Sequence, residues 1–258
     1  GGTNVGVGAQ SLYDLTSGAN NIAMGYRAGY NLTTAAGNTI LGTQAVGTGI
    51  LTGANNVVIG KLAGDNMTSA DANVIIGEDA GAAQTTADNN VLIGQGAGEG
   101  LTTGGDNIFV GTSAGDGHDA ETNNLGIGKA ALGGGIAGGE YNVAIGNQAL
   151  DALTSGDQNV AVGFASGTAL QGGANNTFVG NASGAAVTSG GNNVFVGGDA
   201  GATVTTADRN TIVGYGAGSA MTTGEKNVFV GYNAGLSGTD GSGVRNVGVG
   251  NQALLSLT

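Results

Sequence analysis

The chain has 258 residues, of which 56 are Gly and none is Pro or Cys, and its formal net charge is −12. Only six residues are Lys or Arg, so it lacks the clustered cations that nucleic-acid phosphates or an anionic bilayer surface would require, and without Cys it can form neither disulfides nor thiolate metal sites. It is 40% hydrophobic and 9% charged, unlike a disordered chain; its Gly follows no three-residue period, unlike collagen; and no apolar run reaches membrane-spanning length, so no membrane insertion is expected.

From the first residues onward one unit recurs. An Asn followed by three apolar or β-branched residues and a Gly appears at Asn4, Asn21, Asn38, Asn56, Asn73, Asn90, Asn107, Asn124, Asn142, Asn159, Asn176, Asn193, Asn210, Asn227 and Asn246. The spacing is 17 eleven times, 18 twice and 19 once. A fixed period of this size marks an array of stacked supersecondary units. The whole of 1–258 therefore reads as a single repeat array of fifteen coils, and as a piece of a longer fibre protein.

With the anchor Asn as position 0, the span +1 to +3 is a short strand, as in Val57-Val58-Ile59 or Val228-Phe229-Val230. Three β-branched or aromatic residues closed by Gly are too few for a helix. Position +4 is Gly in all fifteen copies, including Gly60, Gly77, Gly94 and Gly197, and turns the chain. The anchors, Asn56, Asn73, Asn90 and Asn193 among them, are expected to stack into a ladder of amides or to form Asx turns. Position +2 is apolar in every copy, where alternation would place a polar residue if that face met water. If +1 and +3 fill the coil, then +2 faces a second surface. Val58, Ile75, Leu92, Phe109, Phe178, Phe195, Ile212 and Phe229 would then line an axis shared by several chains. Positions +5 and +6 vary freely, with Tyr26, Lys61, Glu78, Gln95, Lys129 and Asn147 among them, and are expected to face solvent; +7 is always Ala or Ser. The expected fold is all-β: a parallel β-solenoid or β-roll of thin coils, each with two short strands and two turns, stacked at about 4.8 Å per coil.

A longer order overlies the repeat. Gly53-Ala54-Asn55-Asn56 returns as Gly173-Ala174-Asn175-Asn176, and Thr85-Thr86-Ala87-Asp88 as Thr205-Thr206-Ala207-Asp208, both 120 residues on. Seven coils thus form a super-repeat, by block duplication or to space outward loops along a shaft.

Units such as Asn142-Val-Ala-Ile-Gly-Asn-Gln-Ala-Leu resemble repeats of bacteriophage tail fibres and related bacterial proteins, which often precede an intramolecular chaperone of the endosialidase type. The segment Asn55-Asn56-Val57-Val58-Ile59-Gly60 with Ala63 is similar to the head repeats of trimeric autotransporter adhesins. The resemblance covers the whole chain. It implies a left-handed, homotrimeric parallel β-roll outside the cell, on a virion tail or a bacterial surface. It also implies an attachment role in which a tip outside this chain meets a cell-surface receptor or glycan. The 17-residue coil departs from the shorter adhesin coil.

Little points to chemistry. Gly214-Tyr-Gly216-Ala-Gly218 lacks the Lys and following helix of a phosphate loop. Asp116, His118, Asp119 and Glu121 share one irregular loop and are weak candidates for a divalent cation; a solvated loop tip is the plainer reading. No nucleophile, base and orienting group recur together, so no catalytic residue and no cofactor is expected, and the chain does not read as an enzyme. The expected function is the structural shaft of a homotrimeric attachment fibre. An alternative is a surface filament whose repeats polymerise. A weaker one is ice binding by the Thr row at +12, which includes Thr85 and Thr102.

Overall fold

The computed structural model describes residues 2–135, 139–236 and 243–255. Among these it is an all-β parallel solenoid with no helix. Among the described residues fifteen parallel strands of three residues follow one another in chain order, from β1 (Val5–Val7) to β15 (Val247–Val249). The chain forms two compact units, residues 1–129 and 130–258. The first holds β1 to β8 (Leu125–Ile127), the second β9 (Val143–Ile145) to β15.

Within each unit equivalent positions pair. Val57, Val58 and Ile59 lie opposite Val74, Ile75 and Ile76, and Phe178 opposite Phe195. The hydrogen bonds run along the stack. Val57 donates its N–H to the Asn73 carbonyl at 2.8 Å, and Gly60 donates to the Leu41 carbonyl at 2.8 Å. Turn residues do the same: Leu62 N–H reaches the Thr43 carbonyl and Thr68 N–H the Thr85 carbonyl. Each coil therefore satisfies its neighbours' backbone, as a solenoid must.

Each coil among the described residues contains one strand, where two were expected. Left-handed residues break the rest of the coil into turns. In the Asn56 coil these are Asn55 (φ 60), Leu62 (φ 56) and Gly64 (φ 55), and a residue at such φ cannot continue an extended run. Gly at +4 has a further cause. Gly60 has φ 145, and a Cβ there would overlap the carbonyl oxygen of Gly77 in the next coil. The same overlap faces Gly77, Gly94 and Gly197, so no side chain fits this row.

The interior reverses the expected facing of the strand. Val58, Ile75, Leu92, Phe109, Phe178, Phe195 and Ile212 are fully buried, and Phe229 is 2% exposed, within a single chain. They fill their own coil and are not an oligomer interface. The anchor supplies the reason. Asn56, Asn73 and Asn193 are fully buried and Asn90 nearly so. Successive strand residues alternate faces, so position +2 goes inward with the Asn, and +1 and +3 go outward. Ala or Ser at +7 and the residue at +11 (Leu32, Met67, Leu101, Leu170) complete the core.

The core also shows a size rule. Where +2 is Phe, +8 is Gly: Phe109 with Gly115, Phe195 with Gly201, Phe229 with Gly235. A Cβ on Gly201 would come within 2.7 Å of the Phe195 ring. Where +8 is Leu, +2 is Gly or Ala: Gly6 with Leu12, Gly126 with Leu132, Ala144 with Leu150, Gly248 with Leu254. Packing at native density leaves no room for a second large side chain beside a Phe or a Leu, while Ile40 with Val46 shares the space between two mid-sized ones.

Candidate functional surface

Two features distinguish the solenoid: a buried polar ladder and an outward apolar strip. In the ladder, Asn56 Oδ1 accepts the backbone N–H of Asn73 at 3.0 Å and its side-chain amide at 3.1 Å. Asn56 Nδ2 donates to Asn38 Oδ1 at 3.0 Å and to the Ala70 carbonyl at 2.7 Å. Asn193 repeats the pattern toward Asn176, Asn210 and the Ala207 carbonyl. Asn56 and Asn193 are thus each held within their own coil and bonded to both adjacent ones. A buried amide so satisfied specifies register, because a slipped coil would leave it unpaired.

The outward strip is formed by +1 and +3. Its thirty positions are apolar except Thr39, Thr177 and Thr211, and none carries a charge. In the first unit Val5 is 51%, Ile22 44% and Ile108 42% exposed, and Val247 reaches 68% in the second; the middle strands are half-buried. With strands about 4.8 Å apart and the two ranks about 7 Å apart, the strip covers about 270 Å² in the first unit and about 240 Å² in the second. Apolar surface of a few hundred Å² without a charge is often a site of association.

The remaining surface is satisfied by its own repetition. Lys61 Nζ meets Glu78 Oε1 at 2.9 Å. Tyr13 stacks on Tyr30 at 5.1 Å and Tyr215 on Tyr232 at 5.9 Å. Arg27 lies 4.8 Å from the centre of the Tyr30 ring and donates from Nε to Gln10. Acidic residues close turns: Asp88 Oδ1 accepts the N–H of Asp71 at 2.7 Å, and Asp208 Oδ1 that of Gly191 at 2.6 Å. The Thr hydroxyls at +12 are spent on the stack as well, Thr68 donating to the Thr85 carbonyl and Thr85 to the Thr102 carbonyl.

The loop of Asp116, His118, Asp119 and Glu121 does not converge on a point. His118 turns into the core and packs on Phe109 at 4.6 Å. Asp119 accepts the Thr102 hydroxyl. Glu121 Oε2 accepts the N–H groups of Asp119 and Ala120 at 2.8 and 3.1 Å. No metal-holding cluster occurs among the described residues. Gly214, Gly216 and Gly218 are the turn positions +4, +6 and +8 of their coil, all at positive φ. No described helix is long and apolar enough to cross a membrane.

The strip and the size rule are the features that sequence reasoning missed. The polarity of the anchor would have located the first, because a buried Asn puts +2 inside. The second is visible as the inverse sizes of +2 and +8.

No protein-family model matches the chain, and no curated protein or solved structure matches it.

Proposed function

We propose that this chain is a stretch of shaft from a homotrimeric attachment fibre, of a phage tail or a bacterial surface, and that its copies associate through the strip of +1 and +3 residues. The observation that carries the reading is the charge-free strip itself. A chain of net charge −12 that keeps thirty outward positions free of charge has a surface suited to burial. A second copy is the partner that fits, because its coils have the same axial period and its ranks can interdigitate with those of the corresponding unit.

The mechanism is reach. Backbone, anchor amides and Thr hydroxyls are tied along the axis, which favours stiffness, and association multiplies weak contacts made by a tip outside this chain. The attachment role rests on the resemblance of the repeats to fibre and adhesin repeats. Sedimentation equilibrium tests the association. The expected species is a trimer, and Ile76→Lys with Val91→Lys converts it to a folded monomer with unchanged circular dichroism. A folded monomer from the unsubstituted chain overturns the reading. Electron microscopy separates rods of fixed length from the indefinite filaments of a polymerising surface protein.

A further inference from the structure

One buried titratable group has no part in the shaft. Position +11 holds the fully buried Leu32, Met67, Leu101, Leu153, Leu170 and Val187 in other coils. In the Asn107 coil it holds His118, the only His in the sequence. The ring is fully buried, and neither Nδ1 nor Nε2 has a hydrogen-bond partner. One side of it lies on Phe109, with ring centres 4.6 Å apart and planes inclined by 57°. The residue is tied only through its backbone, its N–H donating to the Gly115 carbonyl at 3.2 Å.

We infer that the Asn107 coil is an acid-sensitive joint: a proton taken up by His118 opens this coil locally while the regular coils hold. An imidazolium carries two donors and a charge; the Gly115 carbonyl beside the ring already accepts the His118 backbone N–H and offsets only part of the cost of burial. The acidic groups of the coil do not answer it. The Asp119 and Glu121 carboxylates accept bonds from Thr102 and from turn N–H groups. Asp116 stands at the half-exposed turn, and Glu99 of the preceding coil is exposed. The following copy, from Gly133 to Gly139, carries no titratable residue in its sequence. The proton therefore binds once the ring reaches water, and binding holds the coil open. A solenoid transmits this only to adjacent coils, because each unit contacts its neighbours alone.

The pH window follows from linkage. Burial lowers the folded-state pKa of His118 from 6.5 to about 3. Between these values the open form binds more protons than the closed form. The coil's stability is complete above pH 6.5 and falls as pH drops from 6.5 toward 3. Between pH 7.5 and 5 the open population rises roughly 30-fold. Histidine is the side chain whose ordinary pKa lies inside that interval, and His118 is the only His in the sequence.

Hydrogen exchange of the full chain, corrected for intrinsic rates, tests this. From pH 7.5 to 5 the protection of amides in Gly111–Asn123 is expected to fall roughly 30-fold, while that of Gly180–Asn192 stays constant. His118→Leu, which restores the usual core residue, is expected to abolish the fall. Unchanged protection in the native chain, or the same fall in the variant, overturns the inference. Proton NMR gives a reading free of mutation: the folded-state imidazole signals stay neutral to pH 5, and titration with a midpoint near 6.5 overturns it.

Discussion

The Asn142 and Asn176 coils lie in one unit and share every backbone feature, yet fill their interiors from opposite sides. In the first, Ala144 at +2 faces Leu150 at +8; in the second, Phe178 at +2 faces Gly184. All the large side chains are fully buried. A Cβ on Gly184 would sit 2.7 Å from the Phe178 ring. The Asn159 coil between them is small at both positions, Ala161 and Gly167, and its space is taken by its neighbours. A Cβ on Gly167 would lie 2.7 Å from Phe178 and 2.9 Å from Leu150. The interior therefore has a fixed volume per length of stack, and the two positions act as one composite residue.

The largest effects come from breaking that composite. Phe178→Ala is expected to cost about 3–5 kcal/mol through the cavity it leaves. Gly184→Leu is expected to cost about 1–3 kcal/mol by overpacking against the ring. Its backbone is no obstacle, since Leu150 already adopts φ 50 at the equivalent position. The double variant recreates the Ala144–Leu150 arrangement and should be more stable than additivity allows, with a coupling of about 1–3 kcal/mol. Urea unfolding of the four proteins measures it. Additive losses would show that the inverse sizes are an accident of the sequence. Recovery stays partial, because Phe178 also packs on Phe195 at 5.4 Å.

These pairs show what was legible in the sequence. The period, the strand at +1 to +3 and the Gly at +4 follow from a unit that recurs in register fifteen times, and they led directly to a parallel solenoid. The facing of the strand did not follow, because an apolar residue at each of +1, +2 and +3 leaves alternation without contrast. The decisive residue was the anchor Asn, whose expected amide ladder forms but whose burial the sequence did not state. Its amide finds partners at 2.7–3.1 Å inside the stack, which makes burial tolerable and carries +2 inward. The metal candidates around His118 misled for the opposite reason. Loop composition implied solvent, while position +11 is a core position in coils whose loops are less polar.

The ladder is a control for the comparison. Asn142 and Asn176 accept the same pair of bonds from Asn159 and Asn193, at 2.9 and 3.1 Å and at 3.0 and 3.0 Å. Each donates to a carbonyl of its own coil, Gly156 at 2.9 Å and Gly190 at 2.8 Å. Replacing either by Ala strands a buried N–H and a buried carbonyl, costing about 1–3 kcal/mol for each group left unsatisfied. The loss should be equal in the two coils despite their different fill. Unequal unfolding midpoints for Asn142→Ala and Asn176→Ala would mean that core volume and ladder are coupled.

The smallest effect sharpens the same contrast at the outer turn. Thr154 and Thr188 occupy +12 of the two coils, their hydroxyls donating to the Gln171 carbonyl at 3.1 Å and the Thr205 carbonyl at 3.3 Å. Both carbonyls also accept a backbone N–H from the same Thr. Thr→Val at either site keeps the shape, removes one donor and leaves the acceptor partly satisfied, so the loss should be about 0.5–1.5 kcal/mol. The 3.1 Å bond of Thr154 should be at the upper end and the 3.3 Å bond of Thr188 at the lower. Equal midpoints for Thr154→Val and the unsubstituted chain would show that the hydroxyl finds water as good a partner as the stack. The outer turn would then be held by its backbone ladder alone, leaving the interior composite and the buried Asn row to carry the difference between a stacked coil and a frayed one.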